Sequence, residues 1–163
     1  MTKILKMETV LNKQSGSWFS DKTKRTIVDI IVYLYVLLFL YAATSKLIDY
    51  NKFQLQMSKS PIITDYAHVL VWMVPALEII ISIMLLIEKT KMIGLFAAFG
   101  LMSLFTAYIY AILNYSDSIP CSCGGVLQKM TWDQHLIFNI VFVILGIVGI
   151  ILHTKTTDKK GSL

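Results

Sequence analysis

Four long apolar runs, at 27–45, 67–87, 92–113 and 132–152, constrain this 163-residue chain more than any other feature. A helix needs about 20 apolar residues to cross the hydrocarbon of a bilayer, and each run approaches or reaches that length. Lipid offers no partner for backbone N–H and C=O groups, so only helices or closed barrels can span it. Barrel strands would be about 10 residues long with strict alternation, and these runs neither stop there nor alternate. The predicted fold is therefore all-α, an integral membrane antiparallel four-helix bundle with helices at about 27–46, 67–87, 92–113 and 132–152. Composition agrees. The chain is 56% hydrophobic, whereas a soluble domain is nearer 45–50%. One membrane domain, 26–153, is expected between a polar N-terminal segment, 1–25, and a short tail, 154–163. Residues 4–11 suggest a short surface helix. Ala42-Ala43 resembles a signal-peptidase site, but the first run is longer than a signal peptide's apolar core and is read as a retained span.

A net charge of +5 does not point to nucleic acid, because the basic residues flank the apolar runs and form no stripe of their own. Flanking Lys and Arg set membrane orientation instead. With a cytoplasmic N-terminus, eleven of the fifteen fall inside, leaving Lys46, Lys52, Lys59 and Lys129 outside. Both termini are then cytoplasmic, and the loops 47–66 and 114–131 face the periplasm or the cell exterior. That compartment permits disulfides.

The outer loop 114–131 contains Pro120-Cys121-Ser122-Cys123-Gly124-Gly125, with both cysteines of the chain. Two thiols one residue apart close only a small, strained ring, and strain makes a disulfide easier to reduce. Strained, exposed disulfides tend to be catalytic or regulatory. Pro and Gly supply the turn such a ring needs. A static bond is the competing reading, although so short a loop gains little stability from closure. Thr131 and Gln134 form a predicted capping box at the start of the last helix. The positive end of that helix favours a thiolate nearby.

Other polar residues stand out against the apolar background. His135 and Asn139 share one face of the last helix, where they are placed to orient a quinone headgroup, to line a proton path, or simply to bond between helices. Glu78 lies roughly 16 Å into the second span, a depth tolerable only for a neutral or paired carboxyl. Its alternatives are proton transfer and a polar clamp beside Pro75. Lys46 and Asp49 are expected to pair at the outer face, and Asp29 to sit at the inner one. Cys121, Cys123, Met130 and His135 would suit Cu(I), but Cys-x-Cys alone lacks a full ligand set and no metal site is assigned. Gly94, Ala97, Ala98 and Gly100 should let the third helix pack closely.

Three segments bear a family likeness. The run Tyr41-Ala42-Ala43-Thr44-Ser45-Lys46-Leu47-Ile48-Asp49, the Pro-x-x-Glu of Val74-Pro75-Ala76-Leu77-Glu78, and the Cys-x-Cys of 120–125 together resemble the MauE family within the broader DoxX-like group. The likeness covers roughly 27–152. With Met130-Thr131-Trp132 and His135-Leu136 it resembles versions of the family common in Bacteroidetes. Many members carry Phe after the second Cys, where this chain has Gly124. The resemblance implies a four-helix membrane protein of periplasmic redox maturation, of the kind associated with methylamine utilisation. The expected function is thiol–disulfide exchange through Cys121 and Cys123 with a periplasmic thioredoxin-like partner. A non-enzymatic membrane scaffold and a copper-handling protein are the alternatives.

Overall fold

A computed structural model describes residues 20–58, 64–115 and 131–158. The expected short helix at 4–11 lies outside them. Among the described residues there is no strand. The elements are α1 (Asp21–Ile48), α2 (Tyr50–Ser58), a 3-10 turn (Thr64–Tyr66), α3 (Ala67–Leu86), α4 (Lys91–Tyr115) and α5 (Trp132–Asp158). Helices α1, α3, α4 and α5 are each long and apolar enough to cross a membrane.

These four form a closed ring in which α1 packs on α3 and α5, and α4 packs on the same two. The turn between α3 and α4 is tied by the Thr90 hydroxyl, which donates to the Met84 carbonyl at 2.8 Å. A Cβ on Gly94 would stand 3.0 Å from the Leu85 backbone nitrogen, so the missing side chain is what lets α4 turn back so closely on α3. Ala98 is likewise buried. Gly100, read from the sequence as part of the same close face, has open space beside it.

The core is built from Val28, Ile31, Val32, Tyr35, Val36 and Phe39 of α1, meeting Ile81 and Leu85, then Leu95, Ala98 and Met102, and Phe142. Apolar residues also cover the outside, including Leu37, Trp72, Ile83, Leu104, Ile137 and Ile144. Helices that are apolar all round need an apolar surround, and no packing among the described residues supplies it for the outer faces. The chain is a multi-pass membrane bundle. Tyr35 closes the α1–α5 seam, its hydroxyl donating to the Phe142 carbonyl at 2.5 Å. Gly146 makes room for it, since a Cβ there would lie 2.7 Å from that hydroxyl oxygen.

The connection between α1 and α3 is more than the polar loop its composition suggests. Tyr50, Phe53 and Met57 follow one another at helical spacing, and α2 folds their face down against α3. Phe53 and Met57 form a second small core there with Ala67 and Val71.

Candidate functional site

One end of the bundle, opposite the α3–α4 turn, holds a cavity of about 80 Å³. That is room for several waters or for one end of a larger molecule. Ala42 and Lys46 reach it from α1, Phe53 and Met57 from α2, Glu78 from α3, Phe105 and Tyr108 from α4, and Trp132, His135 and Asn139 from α5. Every helix of the fold contributes, so the site exists only in the assembled bundle.

Glu78 is fully buried. Of the two arrangements open to a carboxyl at that depth, pairing is the one found: the Lys46 ammonium donates to Glu78 Oε1 at 2.5 Å. This corrects the pairing of Lys46 with Asp49. Lys46 lies in the last turn of α1 and turns into the bundle, because an unpaired carboxylate in an apolar interior draws the nearest cation more strongly than a solvated one does. The ammonium also lies 5.9 Å from the Phe53 ring centre and 5.7 Å from that of Phe105, within cation–π range. The partner came from a residue 32 positions away, so spacing along the chain could not disclose it.

The capping box forms as expected. Gln134 N–H donates to the Thr131 hydroxyl at 3.3 Å, and Thr131 N–H to Gln134 Oε1 at 3.1 Å. It holds the first turn of α5, where the Trp132 and His135 rings stack at 6.4 Å. His135 and Asn139, one turn apart, are both buried and both line the cavity. Two polar atoms here have no hydrogen-bond partner among the described residues: Glu78 Oε2 and Asn139 Nδ2. An unpaired buried polar atom costs about 1–3 kcal/mol, so two in one cavity mark a place built around something else.

Cys121 and Cys123, the residues expected to carry chemistry, lie outside the described residues, as does Met130 of the copper reading. The chain that carries them runs from the end of α4 to Thr131, and both of those anchor points belong to the cavity end of the bundle. Phe53, Met57, Phe105 and Tyr108 also line the cavity, beyond the residues that the sequence singles out. For α2 the signal was present in the spacing of Tyr50, Phe53 and Met57. On α4 nothing distinguishes the wall of a cavity from a lipid-facing ring.

At the opposite end, the Lys91 ammonium donates to Asp29 at 3.2 Å and to Glu88 at 2.5 Å, so Asp29, half exposed there, also belongs to a charged cluster. Arg25 and His153 line the same polar recess.

The family model described as methylamine utilisation protein MauE matches residues 24–152. No curated protein and no solved structure matches the chain.

Proposed function

The chain belongs to the MauE family of membrane proteins, and from that membership we propose that it is a thiol–disulfide redox protein of the bacterial inner membrane. In this reading Cys121 and Cys123 cycle between dithiol and disulfide. They exchange with a periplasmic thioredoxin-like partner in the maturation of extracytoplasmic proteins. Both termini are cytoplasmic and the cysteine segment is periplasmic, an orientation supported by the excess of Lys and Arg on the other side.

The observation that carries the reading is the placement of a Cys-x-Cys pair in the one stretch of chain joining α4 to α5. Both ends of that stretch are anchored at the bundle end that holds a cavity with a buried ion pair and two unpartnered polar atoms. A purely mechanical loop has no need of either feature.

Exchange passes through a mixed disulfide between one thiolate and the partner. With the resolving cysteine removed, the adduct should persist. Cys121→Ser and Cys123→Ser should each be expressed in cells and run on non-reducing gels. One of the two should show a higher-mass band that collapses on reduction, containing an extracytoplasmic protein with reactive thiols, and the double variant should show none. A copper-handling protein would lose metal in both single variants without an adduct. A scaffold would tolerate all three changes. No adduct in either single variant, with normal function in the double, would sink the proposal.

A further inference from the structure

The cavity's two unpartnered atoms specify the polar end of a ligand. Glu78 Oε1 is engaged by Lys46, and the second oxygen of the same carboxylate, Oε2, is an open acceptor. Asn139 Nδ2 is likewise an open donor, neither atom having a partner among the described residues. Both side chains are more than nine-tenths buried, at 0% and 3% exposure. A fitting occupant therefore offers one O–H and one acceptor oxygen. It carries no net charge, because Lys46 and Glu78 already neutralise each other and a further buried charge would go unpaired. Its body is flat and apolar, to lie among Phe105, Phe138 and Trp132. The volume of about 80 Å³ is smaller than a cavity that encloses a whole ring, so only the oxygen-bearing edge of a ring enters and the rest of the molecule stays outside, where the bundle faces lipid.

We propose that this cavity binds the oxygen-bearing edge of a lipid-soluble quinol, with one ring hydroxyl donating to Glu78 Oε2 and one ring oxygen accepting from Asn139 Nδ2. Binding stands on the cavity alone. The role of the ligand rests on the thiol reading: a quinone, held by Asn139 Nδ2 alone, takes two electrons and two protons from the Cys121–Cys123 dithiol, and Glu78 Oε2 gains its donor only in the quinol so formed. Two S–H bonds break, one S–S bond forms, and two O–H bonds form as quinone becomes quinol. Water is the competing occupant, since it too can bridge buried polar groups.

The test uses the full chain in detergent under anaerobic conditions, with Trp18→Phe and Trp72→Phe so that Trp132 alone reports. Durohydroquinone should quench its fluorescence saturably, and durene, the same ring without oxygens, should not. Asn139→Leu, or Asn139→Ala where the first fails to fold, should weaken binding about tenfold, as expected for one lost hydrogen bond. The double variant Cys121→Ser/Cys123→Ser should bind as the native chain does. Unsaturable quenching in folded protein would mean a merely hydrated cavity. Equal binding of durene would mean a nonspecific apolar hole, and displacement of the quinol by added phosphatidylglycerol a lipid-headgroup site. Each of these overturns the proposal. Loss of quinol binding with partner trapping intact ends this inference alone, and loss of trapping with binding intact ends the thiol reading alone.

Discussion

At the scale of single residues, the Lys46–Glu78 pair sets the character of the site. Its energetics follow from burial: Glu78 is sealed from solvent and Lys46 nearly so. Removing one partner of such a pair leaves an uncompensated charge and costs about 3–5 kcal/mol, whereas replacing both by apolar residues is often neutral. Lys46→Met should therefore lower unfolding stability in mixed micelles by about that amount. Lys46→Met/Glu78→Leu should be more stable than Lys46→Met alone. A single variant as stable as the native chain would show that the pair holds nothing together. At the far end, the hydrogen bond from Lys91 holds the Glu88 carboxyl below the usual carboxylate range. Its folded value thus lies below its unfolded one. The stability it contributes is present above the unfolded value and is lost as pH falls through the folded one. Glu88→Gln should flatten that part of the acid limb of an unfolding profile, and an identical acid limb in the variant would contradict the assignment.

At the scale of elements, the site depends on how α5 begins and how closely it approaches α1. The Thr131–Gln134 box holds the turn that presents Trp132 and His135, and loss of an N-cap side chain costs about 1 kcal/mol. Thr131→Ala should reduce stability by that amount and loosen the stacked pair, visible as a shift in Trp132 emission. An unmoved spectrum would mean that packing alone sets the turn. Along the α1–α5 seam, Gly146→Ala drives a Cβ into the Tyr35 hydroxyl, a form of overpacking worth about 1–3 kcal/mol. Tyr35→Phe removes the atom that is struck. The double change should therefore cost less than the sum of the single ones, and strict additivity of the two would place the strain elsewhere. Helix α2 belongs to this scale as well. It is short and packs chiefly on α3, yet it supplies Phe53 and Met57 to the cavity wall.

For the whole molecule, ring closure brings one residue from each of several helices to a common point and leaves apolar faces outward all round. The proposed orientation can be read directly. Single cysteines from Ser60→Cys and Lys89→Cys, each in a background lacking Cys121 and Cys123, should behave oppositely toward a membrane-impermeant thiol reagent. Position 60 should label in intact cells, and position 89 only after the membrane is opened. The reverse pattern would invert the bundle and place Cys121 and Cys123 in the cytoplasm.

What the chain determines by itself is what depends on local pattern. Four apolar runs dictate four spanning helices, because a backbone in lipid must satisfy itself within each helix. Thr131 and Gln134 specify where α5 starts, because a capping box closes over three residues. The depth of Glu78 requires that it be paired or neutral, because the cost of burying a charge depends on depth and not on fold. The identity of its partner is another matter. Lys46 and Asp49 are neighbours along the chain, and only the packing of α1 on α3 carries Lys46 to Glu78 instead. The same holds for the cavity. Asn139 and His135 share a helix face in any fold, but whether that face meets lipid, another helix or an enclosed space is settled by five helices at once. Contacts among residues far apart in sequence leave no trace in the spacing of any one segment, and for that reason the tertiary structure alone decided them.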